Sequence, residues 1–273
     1  MNQKKKKAKK KSSAFASMSR AKRAALAVGG AILVAALIVA GYFILREKPI
    51  GSVEHPIDRV DTTPAPMSDT ELASLHIDGF SDLDFVPRGQ LSDKLRIARA
   101  GVYSGKFVED GNDAPVEQVL TLVLTNTGDA MIEYAEITVP TRSGETALFK
   151  LSCLPAGQSA LVMESAAMAH SDAADYGAPG LNLLSIPDKV FSLHEDTFSI
   201  KVADGVINFV NNTQSRINGP VSVCYKAIKD GIYFGGIAYR ATLENAVEPG
   251  GVWQFLTAHY TVAGCELLYI TYG

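Results

Sequence analysis

The sequence predicts a mainly β fold, in which one N-terminal transmembrane helix precedes a β-sandwich built from two similar modules. Three observations lead to this prediction. Residues 24–45 are apolar throughout, apolar and polar side chains alternate from about Leu95 onward, and two segments of the later part resemble each other. Alternation with a period of two is typical of strands that bury one face, and many short strands without long helices are typical of sandwiches.

The apolar stretch AALAVGGAILVAALIVAGYFIL, residues 24–45, contains no charged side chain. As a helix, these 22 residues would span roughly 33 Å at about 1.5 Å per residue, and the hydrocarbon core of a bilayer is about 30 Å thick. The stretch is longer than the apolar region of a signal peptide, and no A-x-A-like cleavage site follows it. We therefore predict an uncleaved transmembrane helix, with a cleaved signal peptide as the alternative.

Charge is distributed unevenly about this stretch. Residues 1–23 carry ten of the 26 Lys and Arg residues and no acidic residue, whereas the part after residue 45 carries 16 basic residues and all 29 acidic ones. Because basic flanks stay in the cytoplasm, we predict a single-pass cell-membrane protein with a cytoplasmic tail at 1–23 and an extracytoplasmic C-terminal part. The lysines also suit anionic lipid headgroups, and a tail this short predicts no nucleic-acid binding.

Two connecting segments follow the predicted span. Residues 46–67 combine several prolines with polar residues, a composition typical of a semi-extended stalk linker. Residues 68–94 begin with Ser68-Asp69-Thr70-Glu71, which has the form of a capping box. This second segment therefore predicts a short helix through Leu75, followed by a connecting stretch.

Tight turns separate the strands that are predicted after Leu95. Asp204-Gly205 and Asp230-Gly231 each lie between two apolar runs. The Asp-Gly dipeptide tolerates the positive φ angles of hairpin turns, so each pair is predicted to join two antiparallel strands. The segment 166–184 is rich in Ala, Ser, Asp and Gly and is predicted to be an exposed loop.

An internal repeat divides the strand-rich part in two. The segments LTLVLTNTGDAMIEYAEITV and VINFVNNTQSRINGPVSVCY each contain an apolar strand, an Asn-Thr turn and a second strand, and a Pro-Gly turn follows downstream of each. We predict module 1 at residues 95–195 and module 2 at residues 196–273, each near the size of a small sandwich. A single fused sandwich is the alternative.

A resemblance is carried by the segments TNTGDAMIEYAEITV, LPAGQSALVMES and VCYKAIKDGIYFGGIAYRATL. Their order of Asn-Thr, turn, strand and Pro-Gly resembles that of immunoglobulin-like modules on bacterial envelope proteins. The whole plan resembles uncharacterised single-pass envelope proteins of Gram-positive bacteria. The resemblance implies an immunoglobulin-like β-sandwich ectodomain and an envelope location, and it implies no catalytic residue.

The sequence contains no pattern that predicts catalysis, a metal site or a cofactor. No two histidines lie three to five residues apart, as zinc ligands in a short motif would; they are His55, His76, His170, His194 and His259. A G-x-S-x-G nucleophile elbow is absent, and the segment from Gly101 to Lys106 has too few residues between its glycines to form a phosphate-binding loop. We therefore predict neither an enzyme nor a bound cofactor.

Two groups of side chains in module 2 are candidate functional residues. Cys224 and Cys265 lie in different predicted strands and could meet as a disulfide, with buried free thiols as the alternative. Aromatic residues are concentrated in the last third of the chain, where exposed rings could stack on sugars and buried rings would form a core. The candidate binding surface consists of Tyr225, Tyr233, Phe234, Tyr239 and Trp253.

A sandwich on a stalk, without a catalytic pattern, leads us to expect a non-catalytic binding or structural role in the cell envelope. The partner would be a cell-wall polymer or an envelope protein, bound through surface loops and strand edges such as residues 166–184 and the 229–240 hairpin. A transmembrane sensor or regulatory subunit that works through a partner protein is the alternative. The short tail, residues 1–23, would then require that partner for any output.

Overall fold

The computed structural model describes residues 56–172, 175–188 and 190–272. The predicted cytoplasmic tail and transmembrane helix, residues 1–23 and 24–45, lie outside this part of the chain. Within the described residues, no helix has both the length and the apolar character that crossing a bilayer requires. Those residues form fifteen strands and one short helix, which confirms the mainly β fold.

One helix and three short strands precede the repeated part. The helix α1 spans Asp69–Ser74, and the short strands are β1 Ile57–Asp58, β2 Phe80–Asp82 and β3 Gly89–Gln90. The strands of module 1 are β4 Leu95–Lys106, β5 Pro115–Asn126, β6 Ile132–Pro140, β7 Thr146–Leu154, β8 Ser159–Met163 and β9 Gly180–Ser185. The strands of module 2 are β10 Phe198–Ala203, β11 Val206–Asn211, β12 Val221–Lys229, β13 Ile232–Leu243, β14 Val252–Leu256 and β15 Cys265–Tyr272.

The six strands of module 1 lie in two facing layers of three strands. β8, β5 and β4 are neighbours in one layer, and β7, β6 and β9 form the other. Apolar side chains from both layers are completely buried between them, including Leu122 in β5, Ile137 in β6 and Phe149 in β7. Burying a side chain of this size stabilises the fold by roughly 1.5–3 kcal/mol, so this core is the main stabilising feature of module 1.

Module 2 repeats this arrangement strand by strand. β14, β11 and β10 are neighbours in one layer, and β13, β12 and β15 are neighbours in the facing layer. Its core contains Phe209 from β11, Val223 from β12 and Phe255 from β14. Each strand of module 2 therefore has a counterpart six strands earlier, so that β14 corresponds to β8 and β13 corresponds to β7.

Two buried asparagines have the same role in the two modules. Nδ2 of Asn126 donates hydrogen bonds to the main-chain carbonyls four and 28 residues further on, at 2.8 and 3.0 Å. Nδ2 of Asn211 donates to the carbonyls four and 36 residues further on, at 2.8 and 3.1 Å. In each case Oδ1 accepts from the main-chain N–H two residues later, at 2.9 Å. The Asn-Thr segments of the sequence repeat are therefore the same structural turn.

The two modules share one sheet. β13 of module 2 pairs in parallel with β8 of module 1, with Tyr233 opposite Ala160 and Phe234 opposite Leu161. This pairing extends the sheet over eight strands, in the order β15-β12-β13-β8-β5-β4-β2, with β3 beside β4. The Tyr233 side chain is completely buried in the core of module 1, so module 2 contributes an aromatic residue to the core of its neighbour.

The shared sheet is buried on both faces where it crosses module 1. Leu72 from α1 and Phe80 from β2 pack with Val123 and Leu161 in a second apolar cluster, separate from the module 1 core. As a result, β5 is buried without interruption from residue 119 to residue 126.

Local turn and cap predictions are confirmed. Ser68 caps α1, because its side chain accepts from the Glu71 N–H while Oε2 of Glu71 accepts from the Ser68 N–H at 2.8 Å. Asp204-Gly205 joins β10 to β11 as a two-residue hairpin loop, and Asp230-Gly231 joins β12 to β13 in the same way. Both residues of the second loop have positive φ angles, as this kind of hairpin turn requires.

The C-terminal part of the predicted stalk lies against the domain instead of extending from it. β1 pairs with β10, Oγ1 of Thr62 donates to Glu266 at 2.6 Å, and Gln158 donates to the Pro64 carbonyl at 2.8 Å. The composition of this segment predicts a stalk, but it contains no signal for partners about 100 to 200 residues away.

The exposed loop predicted at residues 166–184 is wrong at its C-terminal end. Residues 180–185 form β9, which pairs antiparallel with β6. Leu183 is half exposed and the other residues of β9 are also only partly buried, because β9 lies at the edge of its sheet. An edge strand of this kind lacks the strong apolar alternation that marks a buried strand.

Candidate functional site

The five aromatic residues of the candidate binding surface do not form an exposed surface. Tyr225, Tyr233, Phe234 and Trp253 are exposed by 3, 0, 7 and 7 %. Tyr225 and Trp253 belong to the core of module 2, whereas Tyr233 belongs to the core of module 1. Only Tyr239 is partly exposed. Four of these residues therefore follow the alternative, in which the aromatic rings are buried and form a core.

Cys224 and Cys265 are not brought together either. On β12, Cys224 lies opposite Tyr269 of β15, whereas Cys265 lies opposite Ala227, three residues further along the strand. Cys265 is buried in the core of module 2, and all three cysteines are free. The possible Cys224–Cys265 disulfide is absent because the strand register separates the two side chains, and the alternative of buried free thiols is found.

An open cleft lies where β13 and β14 approach each other without pairing. Its volume is about 420 Å³, and it is lined mainly by residues 239–243 of β13 and residues 254–259 in and after β14. Cavities of roughly 300–1,000 Å³ are typical of ligand-binding sites. Beyond Phe234, β13 pairs only with β12, and β11 is the one strand neighbour of β14 among the described residues.

The main chain of β14 directs hydrogen-bonding groups away from β11. At the two ends of the pairing, the Gly251 carbonyl accepts from β11, and the Thr257 N–H donates to the Gly205 carbonyl at 2.9 Å. Main-chain groups of neighbouring residues point to opposite sides of a strand, so the odd-numbered residues bond to β11. Val252, Gln254 and Leu256 therefore present their N–H and C=O groups on the unpaired side.

The wall of the cleft contains a stack of three rings. The Tyr239 ring stacks with Tyr225 and His259, at centroid distances of 5.2 and 4.7 Å and interplanar angles of 19° in both cases. His259 is oriented by Asp113, with 3.1 Å between Nδ1 and Oδ2. Burial raises the pKa of Tyr239, so its hydroxyl stays protonated at neutral pH. These contacts hold the ring stack in place beside the free edge of β14.

Two apolar cross-strand pairs lie on either side of a polar pair on the outer face of β11 and β14. The cross-strand pairs are Val206 with Leu256, Asn208 with Gln254, and Val210 with Val252. Leu256 and Val252 are exposed by 78 and 63 %, which is unusual for large apolar side chains on an edge strand. Exposed apolar edges of this kind are sites where another strand can pair.

The corresponding groove of module 1 is filled. There, β13 pairs with β8 on one side, and its Gly236 lies directly against β7 on the other. A Cβ atom at Gly236 would be only 1.8 Å from the carbonyl oxygen of Lys150, so no larger residue fits at this position without a main-chain shift. The β7/β8 groove of module 1 therefore contains a strand, whereas the β13/β14 cleft of module 2 is open.

Two ionisable residues, the partly buried Glu109 and the completely buried Lys226, bond to the main chain of β13 beside that groove. Glu109 accepts from the Gly236 N–H and from the Met163 N–H, each at 2.9 Å. Nζ of Lys226 donates to the carbonyls of Gly236 and Ile237 at 3.1 and 2.6 Å. Burial raises the pKa of Glu109 and lowers that of Lys226 to about 8, and the Glu109 charge opposes the second shift.

A thiol pair that the sequence did not suggest lies between the modules. Sγ of Cys224 in β12 is 3.8 Å from Sγ of Cys153 in β7, and both thiols are buried. Hydrogen bonding from Cys224 lowers the pKa of the Cys153 thiol to about 6, with a further contribution from Tyr269. The hydrogen bond to Cys153 and burial raise the pKa of Cys224. The pair is 71 residues apart in sequence, so no short spacing could have indicated it.

Comparisons with protein-family models, with curated proteins and with solved structures give no match for this chain. In the described part of the chain, no three His, Cys, Asp or Glu side chains come close enough to hold a metal ion. The functional interpretation therefore depends on the geometry of the β13/β14 cleft.

Proposed function

We propose that this protein is anchored in the cell membrane by a single span and has a non-catalytic binding or structural role in the cell envelope. Its C-terminal β part would lie outside the membrane. The apolar residues 24–45 and the basic residues 1–23 support this location and orientation. The same plan resembles uncharacterised single-pass envelope proteins of Gram-positive bacteria.

We also propose that the two modules are immunoglobulin-like. In each module the first, second and fifth strands share one layer, and the third, fourth and sixth strands share the facing layer. Two facing antiparallel layers over one apolar core are the architecture of immunoglobulin-like sandwiches. The matching asparagine turns support a common origin of the two modules in one repeated unit.

The open β13/β14 cleft is the observation that carries the binding role. It combines an unpaired strand edge with exposed Val252 and Leu256, and unpaired apolar edges are sites of strand-mediated recognition. A sugar polymer would bind by stacking on exposed aromatic rings, and most of the candidate rings are buried. We therefore favour an envelope protein over a cell-wall polymer as the partner.

Orientation is tested with a membrane-impermeant maleimide on intact cells. Single cysteines are introduced by Ser12→Cys in the basic tail and by Val190→Cys, whose position is 94 % exposed. The parent chain, which carries only the three native thiols, gives the background labelling that is subtracted. We expect labelling at position 190 and none at position 12, and the reverse pattern would refute the proposed topology.

Binding is tested by photocrosslinking in intact cells of the source organism. A photoreactive amino acid replaces Leu256 beside the cleft in the full chain, and the matched control carries it at Val190, outside the cleft lining. We expect a light-dependent adduct with an envelope component from position 256 and none from position 190. The absence of an adduct at 256, or adducts with cytoplasmic proteins alone, would contradict the proposal.

A further inference from the structure

We infer that the β13/β14 cleft accepts an extended strand from a partner protein, paired in parallel with β14. This inference rests on the proposed binding role and specifies the form of the partner. Its basis is the internal repeat, because module 1 contains the same groove with a strand already bound in it.

The repeat defines which strands correspond. The groove of module 1 lies between β8, the fifth strand of the module, and β7, its fourth strand. The cleft of module 2 lies between the corresponding fifth and fourth strands, β14 and β13. The occupant of the first groove therefore shows what kind of segment the second can hold.

The occupant of the module 1 groove is the N-terminal part of β13. It pairs with β8 in parallel, directs the Tyr233 ring into the sandwich core, and passes β7 with a glycine, Gly236. A short apolar strand with an aromatic residue and a following glycine therefore fits this type of groove.

The module 2 cleft has the corresponding features in an unoccupied form. Val252, Gln254 and Leu256 present their main-chain groups on the unpaired side of β14, ready to form a sheet ladder. Phe255 and the Tyr239 ring line the cleft and offer apolar contacts to an incoming side chain. Arg240 also lines it, and no acidic side chain among the described residues does, so the partner segment is neutral or carries an acidic residue.

A second copy of this chain is a poor occupant. In the segment that would fit best, residues 232–236, Tyr233 and Phe234 are already paired with β8 and all five residues are buried. The partner is therefore a different protein with an extended apolar segment.

The test uses the peptide GIYFGGIA, the sequence of residues 231–238, added to the full chain in detergent micelles. We expect saturable binding, and no binding of a scrambled peptide. Gln254→Pro removes an N–H that faces the cleft and is not needed by β11, so it should weaken binding at least tenfold while the unfolding midpoint stays near that of wild type. Gln254→Ala, the matched control, should bind within about threefold of wild type.

Two outcomes would overturn the inference: no binding of the peptide, or equal binding by Gln254→Pro and Gln254→Ala. If the photocrosslink from position 256 is nevertheless obtained, the proposed binding role stands and only the strand mode fails. If the crosslink is also absent, the binding role itself fails.

A different observation carries a second inference. We propose that Cys153 and Cys224 form a reversible disulfide across the module boundary when the protein meets a disulfide-type oxidant. Their sulfur atoms are 3.8 Å apart, so a side-chain rotation that closes about 1.8 Å would reach the bonding distance. β7 and β12 belong to different modules, so the bond would link the second layer of module 1 directly to the shared sheet.

The exchange balances with one oxidant molecule. The Cys153 thiolate attacks one sulfur of the oxidant and releases its other half as a thiolate, which takes up a proton. The Cys224 thiolate, formed as that thiol loses its proton, then attacks the Cys153 sulfur and releases the second half. Two thiols become one disulfide, and the oxidant disulfide receives the two electrons and two protons.

The test incubates the full chain with oxidised glutathione, followed by peptide mapping without reduction. We expect a linked peptide pair containing Cys153 and Cys224, lighter than the separate peptides by two hydrogen atoms, while Cys265 remains free for alkylation. Cys265→Ser should leave the linkage unchanged, and Cys153→Ser should abolish it. Unreacted Cys153 and Cys224, a glutathione adduct without the 153–224 link, or a link that involves Cys265 would each refute the proposal.

Discussion

Glu109 shows how a single residue joins the two modules, and Lys226 bonds to the same stretch of β13 from within module 2. The Lys226 side chain is completely buried, and its ammonium group donates to two carbonyls of β13, while Glu109 accepts from the N–H of Gly236 in the same stretch. Burying a charge is unfavourable unless hydrogen bonds and an opposite charge offset it. These contacts therefore stabilise one particular docking of β13 and disfavour others.

Lys226 predicts a specific dependence of stability on pH. Its pKa is about 8 in the folded protein against 10.5 for the free side chain, so the unfolded chain binds more protons between these values. Stability from this group is present above pH 10.5 and is lost as pH falls to 8, by about 3 kcal/mol over the interval. In denaturant unfolding, the free energy of unfolding of wild type minus that of Lys226→Met should therefore increase by about 3 kcal/mol as the pH rises from 8 to 10.5.

The control for this pH series is Lys201→Met, which removes an exposed lysine. The difference in free energy of unfolding between wild type and Lys201→Met should not change from pH 8 to pH 10.5. A flat difference for Lys226→Met as well would show that Lys226 keeps an ordinary pKa and would contradict the account of its burial.

Tyr233 predicts a substitution with little or no loss of stability. Its ring is completely buried in the module 1 core, and its hydroxyl has no hydrogen-bond partner among the described residues. Tyr233→Phe removes an unsatisfied polar atom, so the free energy of unfolding should stay the same or rise by up to about 1 kcal/mol. Tyr103→Phe removes a hydroxyl that contacts Lys229, so the free energy of unfolding of this variant should not rise. A clear loss of stability in Tyr233→Phe would contradict the buried geometry.

At the scale of elements, local chemistry determined what the sequence could predict. The capping box before α1 and the Asp-Gly hairpin loops depend on residues within four positions of each other, and all are found as expected. The parallel pairing of β13 with β8 joins residues 73 apart, such as Ala160 and Tyr233, and has no local signal.

The aromatic residues show the limit of period-two reasoning. Alternation places side chains on two faces of a strand, but it cannot show which faces are covered. At the start of β13, residues 232–236 are all buried because module 1 encloses both faces. Four of the five candidate aromatic residues therefore lie in the core. The cleft beside Tyr239 depends on β14 having β11 as its one strand neighbour among the described residues, and no residue pattern encodes this.

The repeated asparagine turns predict equal effects of substitution in the two modules. Asn126→Ala and Asn211→Ala each remove an amide that donates to two main-chain carbonyls. Leaving those carbonyls unsatisfied should lower the free energy of unfolding by about 3 kcal/mol in each variant. Asn212→Ala is the matched control, because this side chain is exposed, and its effect should stay within about 0.5 kcal/mol. Unequal effects of Asn126→Ala and Asn211→Ala would contradict the equivalence of the turns.

At the scale of the whole molecule, the shared sheet predicts that the two modules unfold as one cooperative unit. Tyr233 of module 2 completes the module 1 core, so unfolding of either module removes contacts from the other. Leu122→Ala in module 1 and Phe209→Ala in module 2 should each lower the midpoint of one single unfolding transition. The expected loss in free energy of unfolding is about 3–5 kcal/mol for each variant. Two separate transitions, each sensitive to one substitution, would show that the modules unfold independently.

The open edge of β14 has its most direct test in amide hydrogen exchange of the full chain. On the side of β14 where no described strand pairs, the amides of Val252, Gln254 and Leu256 should exchange rapidly, whereas those of Trp253 and Phe255, bonded to β11, should exchange slowly. Addition of the GIYFGGIA peptide should slow the three even-numbered amides at least tenfold and leave the odd-numbered ones unchanged. If the even-numbered amides are slow in the free protein, or do not respond to the peptide, the account of this cleft is wrong.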